Sequence, residues 1–142
     1  MRVKELMQSE VIAVGEDDLL DDVVDVLVEK HLSGAPVVDA TGELVGVVSQ
    51  WDVYFGSMTR NREQEPGPSE SGSKLAARDI MTSPAFSATE ETEIVDLCRM
   101  MAQLRIHRVP VVRERKLIGI VSSLDVCGAV ASQRLGAESG DR

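Results

Sequence analysis

One heptad is written twice in this chain. GVVSQWD spans residues 46–52 and GIVSSLD spans 119–125, 73 positions apart. Each reads glycine, two apolar residues, serine, two variable residues and aspartate. The likeness extends well beyond the heptad. At an offset of 74, VKELM (3–7) falls on ARDIM (77–81), and Asp18 falls on Thr92. LLDDVVDVLVEKHL then falls on EIVDLCRMMAQLRI, and APVVD on VPVVR. The second copy next loses one residue in a turn, DATGEL against RERKL, and the offset becomes 73. Self-similarity at a fixed period marks a supersecondary unit used repeatedly. The fold must therefore be built from two equivalent halves, 1–56 and 75–133.

Each half carries the same order of elements. A short helical turn ends near Met7 or Met81. A short strand follows, VIAV or AFSA. Apolar residues then recur at helical spacing: Leu20, Val23, Val24 and Leu27 in copy one, and Ile94, Leu97, Cys98, Met101 and Leu104 in copy two. Asp18 and Thr92 are placed to N-cap these helices. Two apolar strands joined by a polar turn come next, APVV to LVGVVS and VPVV to LIGIVS, and a last helix starts after each serine. The stretch 57–74 is rich in Gly, Ser, Pro and charge and reads as a flexible linker, and 134–142 as a disordered tail. A copy of about 55 residues is marginal alone. The expected fold is thus α/β (α+β): two β-α-β-β-α repeats that bury sheet faces against each other in a pseudo-two-fold module.

Bulk properties narrow the function. Aromatics are only 3% of the chain, so the core is aliphatic and base-stacking platforms are scarce. A net charge of -9 repels polyanions, which argues against nucleic acid and anionic membranes as partners, yet a small phosphorylated ligand stays open. No run approaches the roughly 18 apolar residues of a membrane span, and the first residues are too polar for a secretory signal. The two cysteines, Cys98 and Cys127, form no C-x-x-C pair and no disulfide framework. A soluble cytoplasmic protein is the default expectation. His31, His107 and the cysteines lie at no metal-ligand spacing, so no metal site is expected. Nucleophile elbow, P-loop and H-E-x-x-H are all missing, and no histidine accompanies both copies as a base, so no enzyme is expected. Cys98, Met100 and Met101 read as core, and Trp51 as a packing or dimer-contact residue.

The heptad has two readings. In one, Ser49 and Ser122 are N-caps and Asp52 and Asp125, three residues later, complete a capping-box variant. Gly46 and Gly119 then allow close packing. In the other, the same helix start draws a phosphate, the serine hydroxyl donates to ribose or phosphate, and the carboxylate accepts from a ribose diol. The glycines then let a ligand approach the backbone.

With the flanks VKELMQSEVIAV, LSGAPVVD, ARDIMTSP and IHRVPVV, the chain resembles a tandem pair of CBS domains, the regulatory module named after cystathionine beta-synthase. Both heptads satisfy the family's ribose-phosphate motif: Gly, apolar, any, Ser or Thr, any, any, Asp. The resemblance implies clefts between the repeats for AMP, ADP, ATP or S-adenosylmethionine, with no cofactor required. It implies that Asp52 and Asp125 hold ribose hydroxyls, and that Ser49 and Ser122 hold ribose or phosphate. Leu32, Ser33 and Gly34, with Ile106, His107 and Arg108, would line the adenine or phosphate side. Ile12 and Ala13, with Phe86 and Ser87, would add apolar wall. Arg108 is the leading phosphate candidate and His107 the second. A homodimer and an effector protein that reads the bound state are also implied. The rival reading is a ligand-free dimeric scaffold whose Ser-x-x-Asp pairs are only caps.

Overall fold

The computed structural model describes residues 1–63 and 74–132. Its elements run in the expected order. A 3-10 turn (Val3–Glu5) precedes β1 (Val14–Gly15), α1 (Leu20–Glu29), β2 (Gly34–Val38), β3 (Leu44–Ser49) and α2 (Gln50–Glu63). The second copy gives α3 (Ala77–Ile80), α4 (Ile94–Leu104), β4 (Arg108–Arg113), β5 (Lys116–Ser122) and α5 (Ser123–Ala131). The chain is thus a mixed α/β protein of two β-α-β-β-α-like repeats. Helix α2 continues through Glu63, so the first part of the stretch read as a linker is helical. Residues 64–73 and the tail expectation beyond 132 lie outside the described residues.

The compact units do not coincide with the sequence repeats. An early unit comprises Ile12–Ala85, and a late unit comprises Met1–Val11 with Phe86–Arg142. Each copy's leading turn therefore packs on the body of the other copy. The bonds repeat at the offset of 74. Val3 N donates to Thr92 O (2.9 Å) and Ala77 N to Asp18 O (2.8 Å). Lys4 N donates to Glu90 O and Arg78 N to Glu16 O, both at 3.0 Å. The buried side chains follow the same rule. Val3 and Leu6 join Leu97, Met101, Val109, Val111 and Val121 in the late core. Ala77 joins Val14, Val23, Leu27, Val37 and Val48 in the early core. Both cores are aliphatic, Met101 lies in the late one, and Cys98 and Met100 pack against it half-buried.

This exchange explains why two expected caps are absent. Asp18 and Thr92 do not cap α1 and α4, which start without a side-chain cap. The amide of Leu20 donates to Leu75 O (2.8 Å) and that of Ile94 to Met1 O (3.0 Å). A leader carbonyl thus satisfies a first-turn amide that a capping side chain would otherwise serve. Asp18 and Thr92 instead close the preceding turn, accepting from Gly15 N (2.8 Å) and Thr89 N (3.0 Å).

The early sheet has the order β1-β2-β3, with β1 parallel and β3 antiparallel to β2. In the late unit β4 and β5 pair antiparallel, and both hairpins shift register at equivalent points, Val37/Val38 and Val111/Val112. The expected leading strands are shorter than read. VIAV supplies only Val14 to β1, and AFSA makes a single parallel bridge, Ala88 to Val111. In each copy the turn closed by Asp18 or Thr92 begins at once and leaves no length for pairing.

Candidate functional site

In each unit the strand pairing gathers the candidate residues at one end of the sheet. Gly34 is in register with Ser49, and Arg108 with Ser122. The amide of Gln50 donates to Ser33 O (2.9 Å), and that of Ser123 to His107 O (2.8 Å). These bonds tie the helix start to the residue before β2 or β4. Val14 pairs in parallel with Val37, so Ile12 and Ala13 run along β2 toward the same end. The Ala88–Val111 bridge does the same for Phe86 and Ser87. Ile12 and Phe86 are both exposed. Leu32 and Ile106 lie one residue further out, and Leu32 O accepts from Gln50 Nε2 at 3.4 Å.

Both heptads form the capping box. Ser49 N donates to Asp52 Oδ2 (2.8 Å), and Asp52 N donates to Ser49 Oγ (3.2 Å). Ser122 N donates to Asp125 Oδ2 (2.8 Å), and Asp125 N donates to Ser122 Oγ (3.1 Å). Reciprocal caps satisfy two orphan groups of a helix start. Ser49 Oγ also donates to Asp52 Oδ2 (3.1 Å). The second carboxylate oxygen separates the copies. Asp125 Oδ1 accepts from Gln8 Nε2 (3.1 Å). Among the described residues nothing donates to Asp52 Oδ1, and the position equivalent to Gln8 carries Thr82. Sequence reading missed Gln8, because its reach depends on the leader exchange.

Gly46 and Gly119 are closely packed on their Cβ side. A Cβ built on Gly46 would stand 2.6 Å from Met81 Sδ and 2.8 Å from Thr82 O, and one on Gly119 would stand 2.8 Å from Gln8 O. The leaders pair there with the last strand: Thr82 with Val47, and Gln8 with Ile120. Gly34 is similarly confined, its Cβ position lying 2.7 Å from Val48 O. Among the described residues, Arg108 brings a guanidinium to the sheet end of the late unit. Arg108 and His107 are both exposed there, where the early unit has Gly34 and Ser33.

One perturbed carboxyl lies elsewhere. The Lys4 ammonium and then the Arg2 guanidinium beside Glu91 hold its carboxyl below the usual range, and these pairs fix the first leader to the late body. Among the described residues no three His, Cys, Asp or Glu side chains converge on a metal-sized site. None of the described helices is long and apolar enough to cross a membrane.

The fold and sequence have known counterparts. A Methanocaldococcus jannaschii protein, MJ1426, is 29% identical over 154 residues, covering 92% of this chain and 91% of that protein. Other relatives are longer, and the chain spans only 40% of MJ1225 from the same organism. CBSX2 is a chloroplastic CBS domain-containing protein of Arabidopsis thaliana. The crystal structure of CBSX2 in complex with AMP superposes with a TM-score of 0.77 at 27% identity, covering 94% of this chain and 98% of that one. The CBS domain pair of MJ0100, crystallised with 5'-methylthioadenosine and S-adenosyl-L-methionine, gives a TM-score of 0.75 at 24% identity, with coverage of 94% and 98%, and shares the fold. The CBS domain family itself matches residues 3–56 and 77–132, and with most of its length so matched the chain belongs to that family.

Proposed function

We propose that this chain is a regulatory module that binds an adenosine ligand, such as AMP, ADP, ATP or S-adenosylmethionine, at the heptad end of its sheets. The observation that carries the reading is Asp52. Asp52 is half-buried at a helix start; its Oδ2 is engaged by the capping serine, while its Oδ1 meets no donor among the described residues. A ribose diol offers two adjacent donors to such an oxygen, and the neighbouring amides and Ser49 suit an anionic or polar group. The AMP bound by CBSX2, a structural counterpart at 27% identity, supports the adenosine class. Ser33, Gly34, Ile12 and Ala13 line the approach in the early unit. Arg108 and His107 are the phosphate-contacting candidates. In this reading the chain acts in the cytoplasm as a homodimer, without catalysis, and a separate effector protein reads the bound state. A ligand shifts that state only by its differential affinity for the two conformations.

A second reading has its own support. Both Asp125 oxygens already accept hydrogen bonds, so the late heptad works as a complete cap without a ligand. A scaffold would extend that state to both copies. Calorimetric titration with AMP, ADP, ATP and S-adenosylmethionine, with GTP as control, separates the readings. Saturable heat with an adenosine ligand and none with GTP is expected. No heat and no thermal shift with any of them, from folded protein, would leave the scaffold.

A further inference from the structure

Each leader is followed by a residue that pairs with the last strand of the same unit. Gln8 N donates to Ile120 O (2.8 Å) and Ile120 N to Gln8 O (2.9 Å). Thr82 N donates to Val47 O (2.8 Å) and Val47 N to Thr82 O (3.0 Å). Gln8 and Thr82 are equivalent at the offset of 74, and both are exposed. The same pair of backbone bonds thus fixes where each side chain starts, and the residue type decides how far it reaches.

In the late unit that reach ends on the heptad carboxylate. Gln8 Nε2 donates to Asp125 Oδ1 (3.1 Å), while Ser122 N holds Oδ2 (2.8 Å). An ionised carboxylate only accepts, so the amide nitrogen of Gln8 is the atom that faces it. Threonine carries its hydroxyl on Cβ and lacks the rest of the glutamine arm. Among the described residues no hydrogen bond joins Thr82 to Asp52, whose bonds come from Ser49 through Oδ2. Both aspartates are half-buried at their helix starts. The remaining carboxylate oxygen thus has an internal donor in the late unit and none among the described residues in the early one.

We propose that Gln8 is an internal competitor for the ligand: its carboxamide occupies the late carboxylate as a ribose hydroxyl would, and the residue at position 8 or 82 sets how readily each heptad takes a nucleoside diol. The proposal rests on the adenosine reading above and adds the residue that tunes it. A diol that reaches Asp125 must displace Gln8 Nε2 or share Oδ1 with it. Displacement needs rotation of one exposed side chain, because the backbone bonds to Ile120 stay in place. The apparent dissociation constant of the late site then rises by the reciprocal of the fraction of molecules in which Gln8 has swung away. A hydrogen bond of ordinary net strength makes that penalty roughly three- to tenfold.

Exchanging the two residues tests this, by calorimetric titration of the full chain with AMP, ADP, ATP and S-adenosylmethionine. Asp52→Ala leaves the late site as the reporter, and in that background Gln8→Thr is expected to tighten binding roughly three- to tenfold. Asp125→Ala leaves the early site, and there Thr82→Gln is expected to weaken binding by a similar factor. Gln8→Met keeps the length of the arm without its donor and is expected to tighten the late site as Gln8→Thr does. Arg108 and His107 border the late site, so each variant is compared with its own background. Positions 8 and 82 are exposed, and far-UV circular dichroism verifies folding. A Gln8→Thr variant that binds no tighter than its background, in a chain whose wild type binds, would overturn the proposal and leave the adenosine reading standing. Tightening by Gln8→Thr without tightening by Gln8→Met would overturn the carboxamide as the competing group. A folded wild-type chain that binds none of the four ligands would overturn the adenosine reading, and the proposal with it.

Discussion

The two heptads hold the same backbone bonds and present different surroundings. Ser49 and Ser122 cap alike, Asp52 and Asp125 close the box alike, and Ser33 and His107 each offer a carbonyl to the next helix. Around them the side chains diverge. Gln8 reaches Asp125, while the equivalent position in the other leader carries Thr82, which bridges to Val47. Arg108 replaces Gly34, and Cys127 replaces Tyr54. The repeat keeps its backbone bonds while its side chains change, in the core as well as at the surface.

The core is where breaking the equivalence costs most. Leu97 and Val23 occupy equivalent sites, and both are fully buried. Leu97→Ala is expected to cost about 2–5 kcal/mol. Val23→Ala, losing two methyl groups, should cost about 2 kcal/mol. Denaturant titration measures both, and a reversed order would contradict the two-core description. Next come the glycines. Gly119→Ala drives a methyl into the Gln8 carbonyl and should cost about 1–3 kcal/mol. Gly46→Ala meets the Thr82 carbonyl at the same distance and the Met81 side chain closer still, so a comparable or larger loss is expected. If neither change moved the denaturation midpoint, the leader exchange would be wrong. Capping comes third. Ser49→Ala and Ser122→Ala should each cost about 1 kcal/mol, by nearly the same amount, because the two boxes have the same geometry.

The smallest effect concerns Glu91. Its folded carboxyl lies below the ordinary value, so its contribution is present above the unfolded value. That contribution is lost as pH falls through the folded one. The group is fully exposed, so salt screens the effect and Glu91→Gln should change the neutral-pH midpoint only slightly. The wild-type advantage over the variant should vanish in acid. An advantage that grew in acid would reverse the sign.

Much of this was legible in the chain. The offset of 74, falling to 73 after the hairpin turn, located the first helices, both hairpins and both boxes, because helical spacing and strand alternation survive in each copy. Met101 and Leu97 were readable as core on the same ground. The exchange of leaders was not, for a physical reason. Val3 and Ala77 are equivalent positions, so either leader fits either body by pattern alone, and only the fold distinguishes the two. Everything that follows from the exchange was hidden with it: Gln8 at Asp125, the carbonyls of Met1 and Leu75 in place of capping side chains, and the packing of Gly46 and Gly119 against leader backbone.

The most direct test is titration of AMP into Asp52→Ala and Asp125→Ala in parallel with the wild-type chain. Both variants should remain folded, because each loses one cap of similar worth. The expected result is loss of binding in Asp52→Ala with a smaller change in Asp125→Ala, whose carboxylate is already engaged by Gln8. Binding that survives Asp52→Ala unchanged would contradict the assignment of the free Asp52 oxygen as the ligand's anchor.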